Sequence, residues 1–303
     1  MAKIYELKSC GYTINVVPEY GMNCIKLTHE NPFADILKTP QRVNVLAKDD
    51  AFLFGIPVLF FPNRISNGKF EFEGREYVFP INEPEHNNFL HGDLHKLPFD
   101  VTEYDCRHIK GVYTATSRNP YMTFPHSFEF SIEYSIACGR INQIVSIKNT
   151  SDKNMPVALG FHTTFNLSET TELKIPAERF AERNMANYLP TGNFFDDFDL
   201  KDTLNNGVYQ PFGKQVSMLF KLAGKDIEIY DRRNETKIGY EFDEKFQYCM
   251  LFSRDGKDHI CIEPQTWLSN CPNVVGERQK YGFDYISPND TKIYNSFLSI
   301  EEL

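Results

Sequence analysis

Three short stretches, far apart in the chain, carry groups able to move protons. They are Asn63-Arg64-Ile65-Ser66-Asn67-Gly68 with the later Leu90-His91-Gly92, then Gly160-Phe161-His162-Thr163-Thr164-Phe165-Asn166-Leu167, and last Ile262-Glu263-Pro264-Gln265-Thr266. Together they supply one guanidinium, two imidazoles and one carboxylate. That set suffices for general acid–base chemistry on a small, neutral, polyhydroxylated molecule without a metal or cofactor. The remainder of the sequence reads as scaffold that brings the three stretches together.

Each stretch also has an ordinary reading. Arg64 follows the apolar run 58–61 and precedes a glycine turn. Its fork of donors could clamp hydroxyls, but on this segment alone a surface ion pair is the better reading. His91 and His95 stand at H-x-x-x-H spacing, which binds zinc on a helix. Here Gly92 and Asn87-Asn88 argue against a helix, and no metal is expected. Gly92 directly after His91 permits close backbone approach to a ligand. His162 follows the apolar Val157-Ala158-Leu159 and must find a partner if buried. Its neighbours Thr163, Thr164 and Asn166 suit a polar pocket as well as a satisfied core histidine. Glu263 closes an apolar strand, His259-Ile260-Cys261-Ile262. Partial burial there would raise its pKa and improve it as a base near neutrality. Trp267, the single tryptophan, reads equally as a wall of a sugar site and as a core aromatic. The other histidines, His86, His95, His108, His126 and His259, read as surface or structural.

Bulk properties set limits. The chain has 303 residues, 41% hydrophobic and 24% charged, with a net charge of −9. Negative charge disfavours nucleic acid and anionic membranes and is indifferent to a neutral sugar. Seven cysteines without C-x-x-C spacing suggest neither a disulfide framework nor a zinc site. The N-terminal residues lack the apolar core of a signal peptide, and no apolar run reaches the ~18 residues of a membrane span. A reducing, cytoplasmic setting is expected.

The dominant pattern is period two. Phe128, Phe130, Ile132, Tyr134 and Ile136 alternate with Ser127, Glu129, Ser131, Glu133 and Ser135. Val216, Met218, Phe220 and Leu222 repeat it against Ser217 and Lys221. Lys69-Phe70-Glu71-Phe72 and Arg75-Glu76-Tyr77-Val78-Phe79 flank Glu73-Gly74 as a tight hairpin. Ile14 and Val16, then Ile227 and Ile229, mark shorter strands. Residues 49–54 suggest a short turn, and no long amphipathic helix is evident. Many short strands, 26 Phe and 16 Tyr argue for an all-β fold, a large antiparallel β-sandwich or barrel formed by residues 1–303 as one unit. Residues 184–213 are weakly patterned and read as an excursion over the sheet that forms part of a site wall.

Taken in order, the N-R-I-x-N-G-x-F segment, L-H-G, G-F-H-x-x-F-N-L and E-P-Q-T resemble the aldose 1-epimerase (galactose mutarotase) family over most of the chain. The resemblance implies a galactose mutarotase-like β-supersandwich, a cleft on one sheet, no cofactor, and a carbohydrate-metabolising isomerase that interconverts the α and β anomers of a free aldose. By position it implies Glu263 as general base, His162 as general acid and His91 as the histidine that positions the ring oxygen. It implies Arg64, with Asn63, as a substrate contact, and Gln265 as a residue facing the ligand. The chain departs from the family pattern at Asp93, where a second glycine is usual, and at Phe161. No G-x-D-H segment is found; Asp231 and Asp243 lie in other contexts. The reaction therefore carries over better than the sugar preference. A non-catalytic sugar-binding protein and a hexose-phosphate 1-epimerase remain as alternatives. A glycosidase would need a second catalytic carboxylate. The expected partner is a small sugar, and both monomer and homodimer stay open.

Overall fold

The strand Phe128–Ala137 buries Phe128, Phe130, Ile132, Tyr134 and Ile136 and turns its polar residues outward, as its alternation requires. Each such side chain taken from water stabilises by about 1.5–3 kcal/mol. It lies third in an eight-stranded antiparallel sheet of spatial order Asp100–Tyr104, His108–Ala115, Phe128–Ala137, Arg140–Asn149, Thr291–Glu302, Thr236–Phe242, Asp226–Asp231 and Thr171–Lys174. The computed structural model describes residues 2–137, 139–274 and 276–303.

A second eight-stranded sheet shares the same apolar core. Its order is Leu189–Phe195, Ala177–Asn184, Val216–Leu222, Tyr248–Ser253, His259–Gln265, Gly160–Phe161 and Val58–Leu59, with Thr163–Asn166 also paired to His259–Gln265. Its inner face contributes Val216, Phe220, Cys249, Leu251, Ile260 and Ile262 to the main core. Its outer face carries a smaller cluster of Ala181, Leu219, Tyr248, Met250 and Leu268. This sheet is thus covered on both faces over part of its width, unlike the first. The expected antiparallel β-sandwich is what forms.

The hairpin Lys69–Phe72 with Arg75–Val78 has Glu73 and Gly74 at its turn, both with positive φ. Residues 49–54 contain a 3-10 turn, Asp49–Leu53. Residues 184–213 are more regular than their composition suggests. They hold the strand Leu189–Phe195 and the helix Phe198–Asn205, which is capped by the Asp197 side chain accepting from Leu200 N at 3.0 Å. Six cysteines are free thiols; Cys138 lies outside the described residues. Among the described residues no helix is long and apolar enough to cross a membrane.

Candidate functional site

On the second sheet, the pairs Gly160↔Gln265 and Thr163↔Ile262 share one register, which sets His162 opposite Glu263 on the neighbouring strand. Alternation sends Ile260 and Ile262 into the core and Glu263 to the opposite face. Residues far apart in the chain thereby meet: His162 Nε2 lies 3.2 Å from Glu263 Oε1. Both residues are buried, at 2% exposure each, so Glu263 is far more enclosed than its sequence context suggests. The strand runs through it to Gln265.

Burial removes water from both charged forms. It pushes the Glu263 carboxyl up to about 8, against smaller opposing effects of Gln265, Arg64 and Arg183. It pushes the His162 imidazole down to about 3. For the neutral His162 ring to face the Glu263 proton with Nε2, its own proton must sit on Nδ1, which has no hydrogen-bond partner. The empty pair therefore holds one proton and no net charge.

A chain of polar groups fixes which carboxyl oxygen carries that proton. The backbone N–H of Arg64 donates to Asn63 Oδ1 at 3.0 Å, and Ser269 Oγ donates to the same atom at 2.9 Å. The Asn63 amide NH2 thus faces Gln265 Oε1, at 3.5 Å, and Gln265 Nε2 donates to Glu263 Oε2 at 3.3 Å. Oε2 is held as an acceptor, which leaves the proton on Oε1, toward His162. The same reasoning fixes His91: the backbone N–H of Asn63 donates to its Nδ1 at 3.2 Å, so the neutral ring carries its proton on Nε2. Burial, with His162 and Arg64 nearby, holds His91 well below the ordinary histidine range. Asn63 and His91 are both non-glycine residues in the left-handed region, with φ 61° each, and His91 N donates to Asn63 O at 3.0 Å. Such conformations cost ~1–3 kcal/mol and cluster at functional sites.

The cleft above the pair encloses about 930 Å³ and is bordered by Phe52, Arg64, His91, His162, Arg183 and Glu263. That volume lies within the usual range of small-molecule sites. The Phe52 ring sits 5.3 Å from the His91 ring and 5.0 Å from the His162 ring. Arg64 lines the cleft, but Glu83 engages its Nε at 2.8 Å and Nη2 at 2.6 Å, and its guanidinium lies 5.0 Å over Tyr188. Burial works to raise Glu83, yet the hydrogen bonds from Arg64 and Asn88 prevail and hold it below the usual carboxylate range. Met185 and Tyr188, from the segment read as part of a site wall, do border the cleft.

Three expectations need correction. Trp267 is fully buried, stacks on Phe61 at 5.1 Å and donates its Nε1–H to Pro62 O at 3.1 Å, so it is core rather than wall. Gln265 is fully buried behind Glu263 and steers the carboxyl instead of facing a ligand. Gly92 makes its close approach to protein: a Cβ there would stand 2.2 Å from Phe60 O and 2.6 Å from Tyr121 Oη, with φ at +69°. Of the residues singled out from sequence, the fold gathers Glu263, His162, His91, Asn63 and Arg64 around one cleft. The sequence reading missed Phe52, Glu83, Arg183 and Tyr188.

His91, His162 and Glu263 bring one possible metal-ligand atom each within 4.8 Å of one another. The donor set fits a metal poorly. His91 Nδ1 is occupied by a backbone donor, and its Nε2 carries the ring proton. Nor does His162 Nδ1 have the orienting partner that metal-bound histidines commonly have.

Comparison with known proteins places this geometry in a lineage. A profile of the aldose 1-epimerase family matches residues 3–286. The crystal structure of a galactose mutarotase-like protein from Clostridium acetobutylicum superposes with a TM-score of 0.92 at 30% identity, covering 100% of this chain and 96% of that one. A GalM/aldose epimerase homologue from C. elegans shares the fold, with a TM-score of 0.82 at 17% identity and 100% coverage of both chains. Among curated sequences, a "Probable aldose 1-epimerase" of Arthroderma benhamiae is 25% identical over 263 residues, 76% of this chain and 57% of that protein. The uncharacterized protein YihR of Escherichia coli K12 is 28% identical over 149 residues, 47% of each. The matches thus span about half the length of these two curated relatives. With the family profile running almost end to end, this chain belongs to the aldose 1-epimerase family.

Proposed function

We propose that this protein is a mutarotase: it interconverts the α and β anomers of an aldose by opening and closing the hemiacetal ring. The observation that carries the reading is the buried Glu263–His162 pair, 3.2 Å apart at the floor of the cleft. Ring opening needs a proton removed from the C1 hydroxyl and another delivered to the ring oxygen. Glu263 as carboxylate takes the first, and His162 as imidazolium gives the second. The C1–O5 bond breaks, and the open aldehyde rotates about C1–C2. The two transfers then run backward onto the other face. The pair holds one proton at every stage, so no proton is exchanged with water. Help of this kind is worth about 10²–10⁴-fold per group.

His91, neutral with Nε2–H free to donate, orients a sugar oxygen without adding charge. Arg64, fixed by Glu83, presents its remaining donors to hydroxyls. The test is polarimetry of a freshly dissolved α-aldose. The wild-type protein accelerates equilibration, and Glu263→Gln loses nearly all of that acceleration while sugar affinity changes little. Equal rates in the two proteins would reject the assignment.

A further inference from the structure

The cleft contains a guanidinium that the mechanism does not use. Arg183 is the penultimate residue of the strand Ala177–Asn184, whose register shifts between Ala181 and Arg183. A bulge of this kind re-aims a side chain, and Arg183 borders the same cleft as His162 and Glu263. The other cationic groups there are matched: Arg64 by Glu83 at 2.6 Å, and Arg254 by Asp50 at 3.5 Å. Glu263 shares its proton with His162, and Glu85 is solvated on the rim. Among the described residues Arg183 has no ion-pair partner. Only its Nη2 is engaged, by the carbonyl oxygen of Ser217 and by Ser217 Oγ at 3.1 Å. None of its other nitrogens is sealed from the open space. Among the described residues, the aspartates nearest the cleft, Asp50 and Asp93, line the adjoining recess beside Phe52 and His91, and Asp50 pairs with Arg254. The one carboxyl that acts on Arg183, Glu263, is kept neutral in the empty site by burial, so a half-buried guanidinium faces the cleft without a fixed counter-charge.

We propose that Arg183 reads an anionic substituent on the sugar, a carboxylate, sulfate or phosphate group borne away from C1, so that the substrate class is acidic aldoses. This inference rests on the mutarotase reading, which concerns C1 alone. Burial and the nearby Arg64 hold the Arg183 guanidinium below its usual range, against smaller raising effects of Tyr188 and Glu263.

The experiment measures anomer equilibration by NMR for D-glucose and D-galactose against D-glucuronate, D-glucose 6-sulfate and D-glucose 6-phosphate, the three acids separating the possible anions. At least one acid should exceed the neutral sugars in kcat/KM by about tenfold or more, the size of a charge-assisted hydrogen bond. High salt should narrow that ratio, Arg183→Gln should collapse it, and Arg183→Lys should retain part of it. A ratio near one in the wild type, or one unaltered in both variants, overturns the proposal. If no sugar equilibrates faster, the mutarotase reading fails. Calorimetric binding of the same five sugars then decides this one: an Arg183-dependent preference for an acid upholds it, and equal or absent binding overturns it.

Discussion

Glu263→Gln should stabilise the fold as well as silence it, and the gain should grow with pH. The amide keeps the hydrogen-bond geometry: its oxygen accepts from Gln265 Nε2, and its NH2 donates to His162 Nε2. Only the ionisable proton is lost. In the wild type Glu263 titrates near 4.5 when unfolded and near 8 when folded. Between those values the folded state holds a proton that the unfolded chain has released, so this group's contribution is fully present below about pH 4.5 and is lost as pH rises through 8. At ~1.4 kcal/mol per pH unit, the shift sets a ceiling of about 5 kcal/mol for the gap between variant and wild type at pH 8 and above. His162 works the other way. Its folded value near 3 lies below the ordinary 6.5, so stability is lost as pH falls through that window. The histidine is present in both proteins and largely cancels in the difference.

Urea titrations followed by the fluorescence of Trp267, the single and fully buried tryptophan, give the free energies directly. The two proteins should have similar stability near pH 4.5, and the variant should pull ahead steadily from there to pH 8. Parallel stability curves across that range would mean that Glu263 ionises in the fold as it does in water. The argument from desolvation, and the single shared proton with it, would then be wrong.

Other consequences are simpler to read. The pH profile of kcat/KM for mutarotation should fall above about pH 8, where the pair loses its proton; a rate still level two units higher would show that another group limits it. Gln265→Leu removes the donor that holds Glu263 Oε2. It should cost about 10–100-fold in kcat with KM little changed, and should move the alkaline limb upward, because a hydrogen bond that lowers the Glu263 pKa is gone. Trp267→Phe should lose about 1–3 kcal/mol of stability through its cavity and its broken bond to Pro62 O, with kcat/KM within about twofold of wild type; unfolding followed by circular dichroism and polarimetry check both halves.

How much of this was legible in the sequence depends on which faces meet water. Phe128–Ala137 has one apolar and one polar face, so alternation announced it. Val216–Leu222 was only half legible: Leu219 joins a second apolar cluster on the outer face and blurs the period. Arg183 was invisible because the bulge beside it breaks the alternation that would have shown where it points. Glu83 was hidden for another reason: it lies outside any strand, and only the fold brings it to Arg64. Pro264 reads as a strand terminator, yet the strand continues to Gln265. The ladder toward the neighbouring segments is already interrupted there, between Gly160↔Gln265 and Thr163↔Ile262. The side chains of His162 and Glu263 were identifiable by type and local setting, but their meeting depends on a register that no local pattern encodes.

That meeting links the energetic cost of the site to its chemistry. With a cyclic sugar bound, the proposed assignment requires Glu263 as carboxylate and His162 as imidazolium, a charge-separated pair in a site that water barely reaches. With the ring open, Glu263 has gained the C1 hydroxyl proton and His162 has given up its own. The pair is then a neutral acid beside a neutral imidazole, the state that burial favours in the empty protein. Desolvation therefore penalises the partner state of the closed ring more than that of the open chain. It pushes the equilibrium within the complex toward the aldehyde, through which both anomers must pass. Gln265 and Asn63 make the push directional by keeping Oε2 occupied, so that Oε1, beside His162 Nε2, is the oxygen that changes its protonation. A carboxylate more open to water would be cheaper to fold, but it would ionise without the histidine and lose this coupling.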